Sequence, residues 1–130
     1  MKQLTSYGPI VARVLIALIF IASGAGKITG FEPTVGYIAS KGLPFPALAA
    51  IAAIIVELGG GILLVVGYKA RWAAFFMLLF SLAAAFIFHN FWAVPAAEAQ
   101  NQTIHFMKNI SMAGGLLMIV TYGSGARSID

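Results

Sequence analysis

The chain has no cysteine, and only four of its 130 residues are acidic: Glu32, Glu57, Glu98 and Asp130. Without thiols there is no disulfide framework, no thiol redox chemistry, no thiolate metal site and no cysteine nucleophile. A redox role would therefore need a bound cofactor or a partner. Charge of either sign is scarce, at 9% of residues against roughly 25% in soluble proteins. The chain is 61% hydrophobic, with a mean hydropathy of +0.95. That is the composition of an integral membrane protein. The net charge of +4 does not point to nucleic acid, because Lys2, Arg13, Lys27, Lys41, Lys69, Arg71, Lys108 and Arg127 are scattered rather than clustered.

Other absences narrow the chemistry. The two histidines, His89 and His105, flank a loop, and with Glu98 they match no metal-ligand spacing, so no metal is expected. Gly59, Gly60 and Gly61 are not a phosphate loop, since no Gly-Lys-Ser/Thr follows; they read as a close helix-packing surface. No Ser-His-Asp set is legible and no catalytic residue can be named. The basic start, the apolar run Val14–Ala22 and the small residues that follow imitate a cleavable signal peptide. The run extends back to Ile10, Arg13 interrupts it and three similar runs follow, so a retained first helix is the simpler reading.

What is present is four apolar spans, about 10–26, 48–66, 72–88 and 104–122, each near the roughly 20 residues that cross a hydrocarbon core. The expected fold is all-α: one domain over 1–130, an integral membrane four-helix bundle. Lys2, Lys69, Arg71 and Arg127 fall on one side, with Arg13 just inside it, against Lys27 and Lys41 on the other. The positive-inside rule then puts both termini in the cytoplasm. The long first outer connection contains FEPTVGYIAS before Gly42, which predicts a short surface helix over about 33–40. Residues 90–103 read as a polar outer loop, with Trp92 as an interfacial anchor.

Glu57 lies near the middle of the second span. A carboxylate at that depth costs about 2.5–3.5 kcal/mol on insertion scales unless it is paired or protonated. On helix 1, Arg13, Ala17, Phe20, Gly24 and Lys27 share one face; on helix 3, Ser81, Ala85 and His89 line up; on helix 4, His105, Lys108, Asn109 and Met112 point one way. At about 1.5 Å per residue, Glu57 is roughly 14 Å deep, Arg13 roughly 20 Å and Lys108 roughly 7 Å. Snorkelling makes Arg13 and Lys108 the expected partners of Glu57, with Asn109 and His89 or His105 completing a polar network. The plainer reading is that these groups only pin the helices together. Buried ion pairs add little net stability, so a functional cavity is the favoured reading.

Several segments, taken in order, resemble the DoxX family of small bacterial inner-membrane proteins. They are Arg13–Lys27 (RVLIALIFIASGAGK), the GLP at Gly42, Glu57–Gly67 (ELGGGILLVVG), His89–Trp92 (HNFW) and Phe106–Gly115 (FMKNISMAGG). The resemblance implies a four-helix membrane protein related to the small subunit of a thiosulfate:quinone oxidoreductase. It further implies that Arg13, Lys27, Glu57, His89, Asn90, Lys108 and Asn109 occupy the family's polar positions. Three functions follow as expectations. The first is an oxidoreductase-associated membrane subunit, a quinone-linked one if it takes part in a reaction, holding a quinone or similar amphiphile in the polar pocket. The second is a structural or assembly partner of a membrane redox complex, and the third a small-molecule carrier. Expected partners are membrane lipid, redox-complex subunits or a second copy of the chain, and no nucleic acid.

Overall fold

The computed structural model describes all 130 residues, Met1–Asp130, and its regular structure is entirely helical. In chain order it comprises α1 (Lys2–Thr29), α2 (Phe31–Ser40), α3 (Pro46–Ile54), a π-helical turn (Ile55–Gly59), α4 (Gly60–Val66), α5 (Ala70–Phe88), a 3₁₀ turn (Phe91–Ala93) and α6 (Ala96–Tyr122). Four stretches are long and apolar enough to cross a membrane: α1, the run from α3 through α4, α5 and α6.

Local chemistry explains most boundaries. Gly67 ends α4 in the left-handed region (φ 71°), and its N–H donates to the Leu63 carbonyl at 2.8 Å. No L side chain adopts that conformation as cheaply. The surface helix foreseen over 33–40 is α2, two residues longer at its start. Two other expectations need correction. Helix 1 begins near the first residue, because Pro9 costs one backbone hydrogen bond without breaking a helix of 28 residues. Residues 96–103, read as loop, are the first two turns of α6, where alanines favour the helix and Glu98 complements the positive end of its dipole.

The bundle does not pack evenly along its length. Near the end that holds both termini, α1, α4, α5 and α6 close on a core of Ala17, Leu64, Ala70, Ala74, Met77 and Leu116, all fully buried. Glycines permit this approach. A Cβ on Gly60 would come within 2.8 Å of Met77, and one on Gly61 within 2.6 Å of Ile21. Toward the other end the two hairpins part: α3 leans on α1 and α2 while α5 and α6 stay together, and the space between them is left open. Large apolar side chains such as Leu15, Leu18, Ile51, Ile62, Leu117 and Met118 are exposed around the outside. That is the surface expected of helices facing lipid.

Candidate functional site

The open end contains a cavity of about 590 Å³. Every spanning helix contributes a polar group to it: Ser23 and Lys27 from α1, Glu57 from the π-turn, Ser81 from α5, and His105, Lys108 and Asn109 from α6, with His89 at the end of α5. Phe20, Phe80, Phe88 and Met112 form apolar walls, and α2 covers one side with Tyr37 and Ile38. The Tyr37 ring packs against Phe88 at 5.4 Å between centroids, which ties this cover to α5.

Glu57 is the most enclosed charge in the cavity. It is 4% exposed, and its Oε1 lies 2.6 Å from the Lys27 ammonium, the one salt bridge in the chain. Lys27 also donates to the Ser23 hydroxyl one turn back, at 2.8 Å. No amide or hydroxyl donates to Glu57, so its remaining acceptor capacity faces the cavity. The π-turn that carries it inserts an extra residue into the helical repeat, a distortion that recurs at functional sites. Gly24 makes the pairing geometrically possible. A Cβ there would stand 2.9 Å from the Leu58 backbone nitrogen and 3.3 Å from the Glu57 Cβ. Any larger residue would hold α1, and with it Lys27, away.

On the opposite wall, Ser81 is 1% exposed and its hydroxyl has no hydrogen-bond partner. Asn109, 7% exposed, donates to the Ser81 carbonyl at 3.4 Å. At the mouth the His89 and His105 rings stack at 5.0 Å, and His89 Nδ1 lies 2.9 Å from Gln102 Oε1. No group of three or more His, Cys, Asp or Glu converges anywhere in the chain. Glu98 is not part of the cavity lining.

The partners expected for Glu57 were wrong. Arg13 is 1% exposed and lies at the closed end, where its Nη1 donates to the carbonyls of Leu64 (2.8 Å) and Val65 (3.1 Å). Its Nη2 donates to Arg127 (2.7 Å) and Ala126 (3.4 Å). The last carbonyls of a helix lack intrahelical donors and carry the negative end of its dipole. Arg13 faces the last turn of α4, and those carbonyls are nearer to it than Glu57 two turns away. Lys27, fourteen residues along the same face of α1, takes the role assigned to Arg13. Lys108 lines the cavity but forms no bridge to Glu57. Asn90 lies outside the lining; its carbonyl accepts from the Ala93 N–H at 3.0 Å in the 3₁₀ turn. Ser23 and Ser81 were not singled out as site residues, although Ser81 lay on the stripe shared with His89.

The fold and the site thus define a small polytopic membrane protein that is sealed at one end and holds a charged pocket at the other. The chain belongs to the DoxX family, whose profile matches residues 8–90. It is similar to two inner membrane proteins of Escherichia coli K12. YqjF is 41% identical, covering 100% of this chain and 95% of that protein; YphA is 40% identical, covering 93% and 86%. A shorter similarity, 34% identity over 52% of this chain and 23% of the relative, links it to a Surfeit locus protein 4 homolog of Schizosaccharomyces pombe. No solved structure matches it significantly. It is a multi-pass inner-membrane protein.

Proposed function

We propose that the protein is a membrane subunit of an oxidoreductase system and that its cavity binds a quinone or a similar small amphiphile. The observation that carries this reading is the pairing of apolar aromatic walls with unsatisfied buried polar atoms in one cavity: Ser81 Oγ without a partner and Glu57 with only Lys27. Ligand sites of about 300–1,000 Å³ combine mostly apolar walls with a few placed polar groups in this way. Natural interiors leave few buried polar groups unpaired, so such atoms point to an occupant.

A quinone fits the donor set. Its carbonyl oxygens would accept from the Ser81 hydroxyl, the Asn109 amide and the Lys108 ammonium, with the ring between Phe20, Phe80 and Phe88. When bound, a quinone supplies two-electron, two-proton chemistry. Glu57 and Lys27 would hold a proton at the Oε1–Nζ contact, and the apolar walls would keep water from it. We further infer that the sealed end, with Lys2, Lys69, Arg71 and Arg127, faces the cytoplasm and the cavity opens on the other side. Electrons would then come from a further bound cofactor or a partner subunit, because the chain has no cysteine and no clustered metal ligands of its own.

The test is to purify the protein in mild detergent and identify extracted small molecules by mass spectrometry, comparing the parent with Glu57→Gln. A quinone or other apolar-tailed molecule at stoichiometric level, lost in the mutant while the protein still inserts, supports the reading. An empty parent that co-purifies with stoichiometric partner subunits would replace it with an assembly role.

A further inference from the structure

The four acids of the chain have definite places, and only one of them reaches the cavity. Glu57 has its charge paired with Lys27 at 2.6 Å. Asp130 caps the start of α5 at the sealed end, accepting from the Lys69 and Ala70 N–H groups at 2.5 and 3.0 Å. Glu98 is ten residues before Lys108 on α6, about 15 Å along the axis, and neither it nor Glu32 lines the cavity. Lys108 is therefore a cavity-lining ammonium with no carboxylate within bridging distance. With Lys27 and Glu57 cancelling, the cavity has a net positive charge of one, before any contribution from His89 or His105. Lys108 is itself exposed, so its ammonium is free to meet an anionic group at the open end of the cavity.

The neighbours of Lys108 supply further donors. Asn109 is the next residue, and its amide already reaches the Ser81 carbonyl across the α5–α6 interface at 3.4 Å. The Ser81 hydroxyl, 99% buried and unpartnered, lines the same cavity. An ammonium, an amide and a free hydroxyl among the lining residues offer donors to a small oxyanion, whose hydrogen bonds to charged groups are the stronger kind. We propose that the occupant carries a single anionic head group of the carboxylate class, held by Lys108 with Asn109 and Ser81, and an apolar tail along the phenylalanine walls. This deepens the amphiphile reading above and rests on it.

The experiment titrates the purified full chain, in nanodiscs of uncharged lipid, with dodecanoate, dodecanol, butyrate and a short-tailed neutral quinone. The parent, Lys108→Gln and the surface control Lys41→Gln are compared. Expected is at least tenfold tighter binding of dodecanoate than of dodecanol, abolished in Lys108→Gln and retained in Lys41→Gln, with butyrate much weaker than dodecanoate. Butyrate binding as tight as dodecanoate would keep the anion site but assign it to a water-soluble acid, overturning the tail. Equal binding of dodecanoate, dodecanol and quinone would leave the amphiphile pocket standing and overturn its anionic head. A dodecanoate preference unchanged in Lys108→Gln would overturn the assignment to Lys108. Failure of all four ligands to bind the parent would overturn the pocket reading itself. Lys108 is exposed to the cavity, so its glutamine variant should melt with the parent, and the melt checks this.

Discussion

The two ends of this bundle use the same kinds of polar residue to opposite effect. At the sealed end, Arg13 makes four hydrogen bonds to backbone carbonyls of α4 and the chain's last segment, and Asp130, which accepts from the Ser124 hydroxyl, ties that segment to the start of α5. Arg127 adds a stacking contact over the Tyr7 ring at 4.0 Å and a bond to Ser6. At the open end, one ion pair stands beside an unpartnered serine and an unbridged lysine. Arg13 keeps one buried N–H, at Nε, without a partner, so complete satisfaction does not separate the two ends; the difference is four bonds to backbone carbonyls at one end against a single ion pair at the other. A charge at membrane depth is therefore not itself a site: Arg13 is bound to the backbone of two segments, whereas Lys27, Glu57 and Lys108 line a cavity.

Arg13→Met should break the comparison most severely. It removes two short charge-assisted bonds, worth about 1.5–3 kcal/mol each, and leaves the carbonyls of Leu64 and Arg127 without that donor. A loss of about 3–5 kcal/mol is expected, read as a large fall in melting temperature in detergent and rapid proteolysis of residues 123–130. Ligand affinity at temperatures where the protein stays folded should be nearly unchanged. A variant that melts with the parent but loses ligand would reverse the roles given to the two ends.

Lys27→Met comes next. Breaking a buried pair costs about 3–5 kcal/mol when one charge is left alone, and partial exposure of Lys27 at 25% places the loss near the lower bound. Adding Glu57→Gln should recover most of the stability while ligand binding stays lost, and a double-mutant cycle measures the coupling. Smaller again is Gly24→Ala. Its Cβ meets the Leu58 backbone nitrogen, which cannot rotate away, so α1 must shift, at about 1–3 kcal/mol. Because Gly24 and Lys27 are one turn apart, the shift should lengthen the Lys27–Glu57 contact and weaken binding more than Gly61→Ala does. There the neighbour is the Ile21 side chain, which can adjust.

The apolar runs made the four long apolar helices and the short helix α2 legible in the sequence, and helical periodicity found the inward faces. Arg13, Ala17, Phe20 and Gly24, grouped on one stripe, are all buried. Pairing across helices was not legible. Depth at about 1.5 Å per residue ranks residues along an axis, but it does not say which neighbour each face meets. It also ignored the carbonyls at the end of α4, which compete with Glu57 for Arg13. The π-turn at Glu57 has no sequence signature beyond the glycines that follow. The final segment, GSGARSID, was also opaque: nothing in its residue pattern foretells that Ile129 and Asp130 donate backbone bonds to Val66 and Gly67. Those bonds depend on α4 ending where it does.

That segment supplies the mildest test of the contrast between the ends. Asp130 lies outside the spans, and its carboxyl is held below the ordinary value of 3.8, chiefly by the Ser124 hydroxyl and then by the Ala70 N–H. Since the folded form favours the carboxylate, its contribution is fully present above the ordinary value and is lost as pH falls through the lowered one. Proteolytic release of residues 123–130, assayed with an acid protease, should be flat from pH 6 to pH 4 and rise only in stronger acid. Asp130→Asn should show the raised rate at every pH, and anion binding at the open end should be unaffected by that substitution. If Asp130→Asn changed ligand affinity as much as it changed cleavage, the two ends would be one coupled unit, and the division between a clasp and a pocket would have to be abandoned.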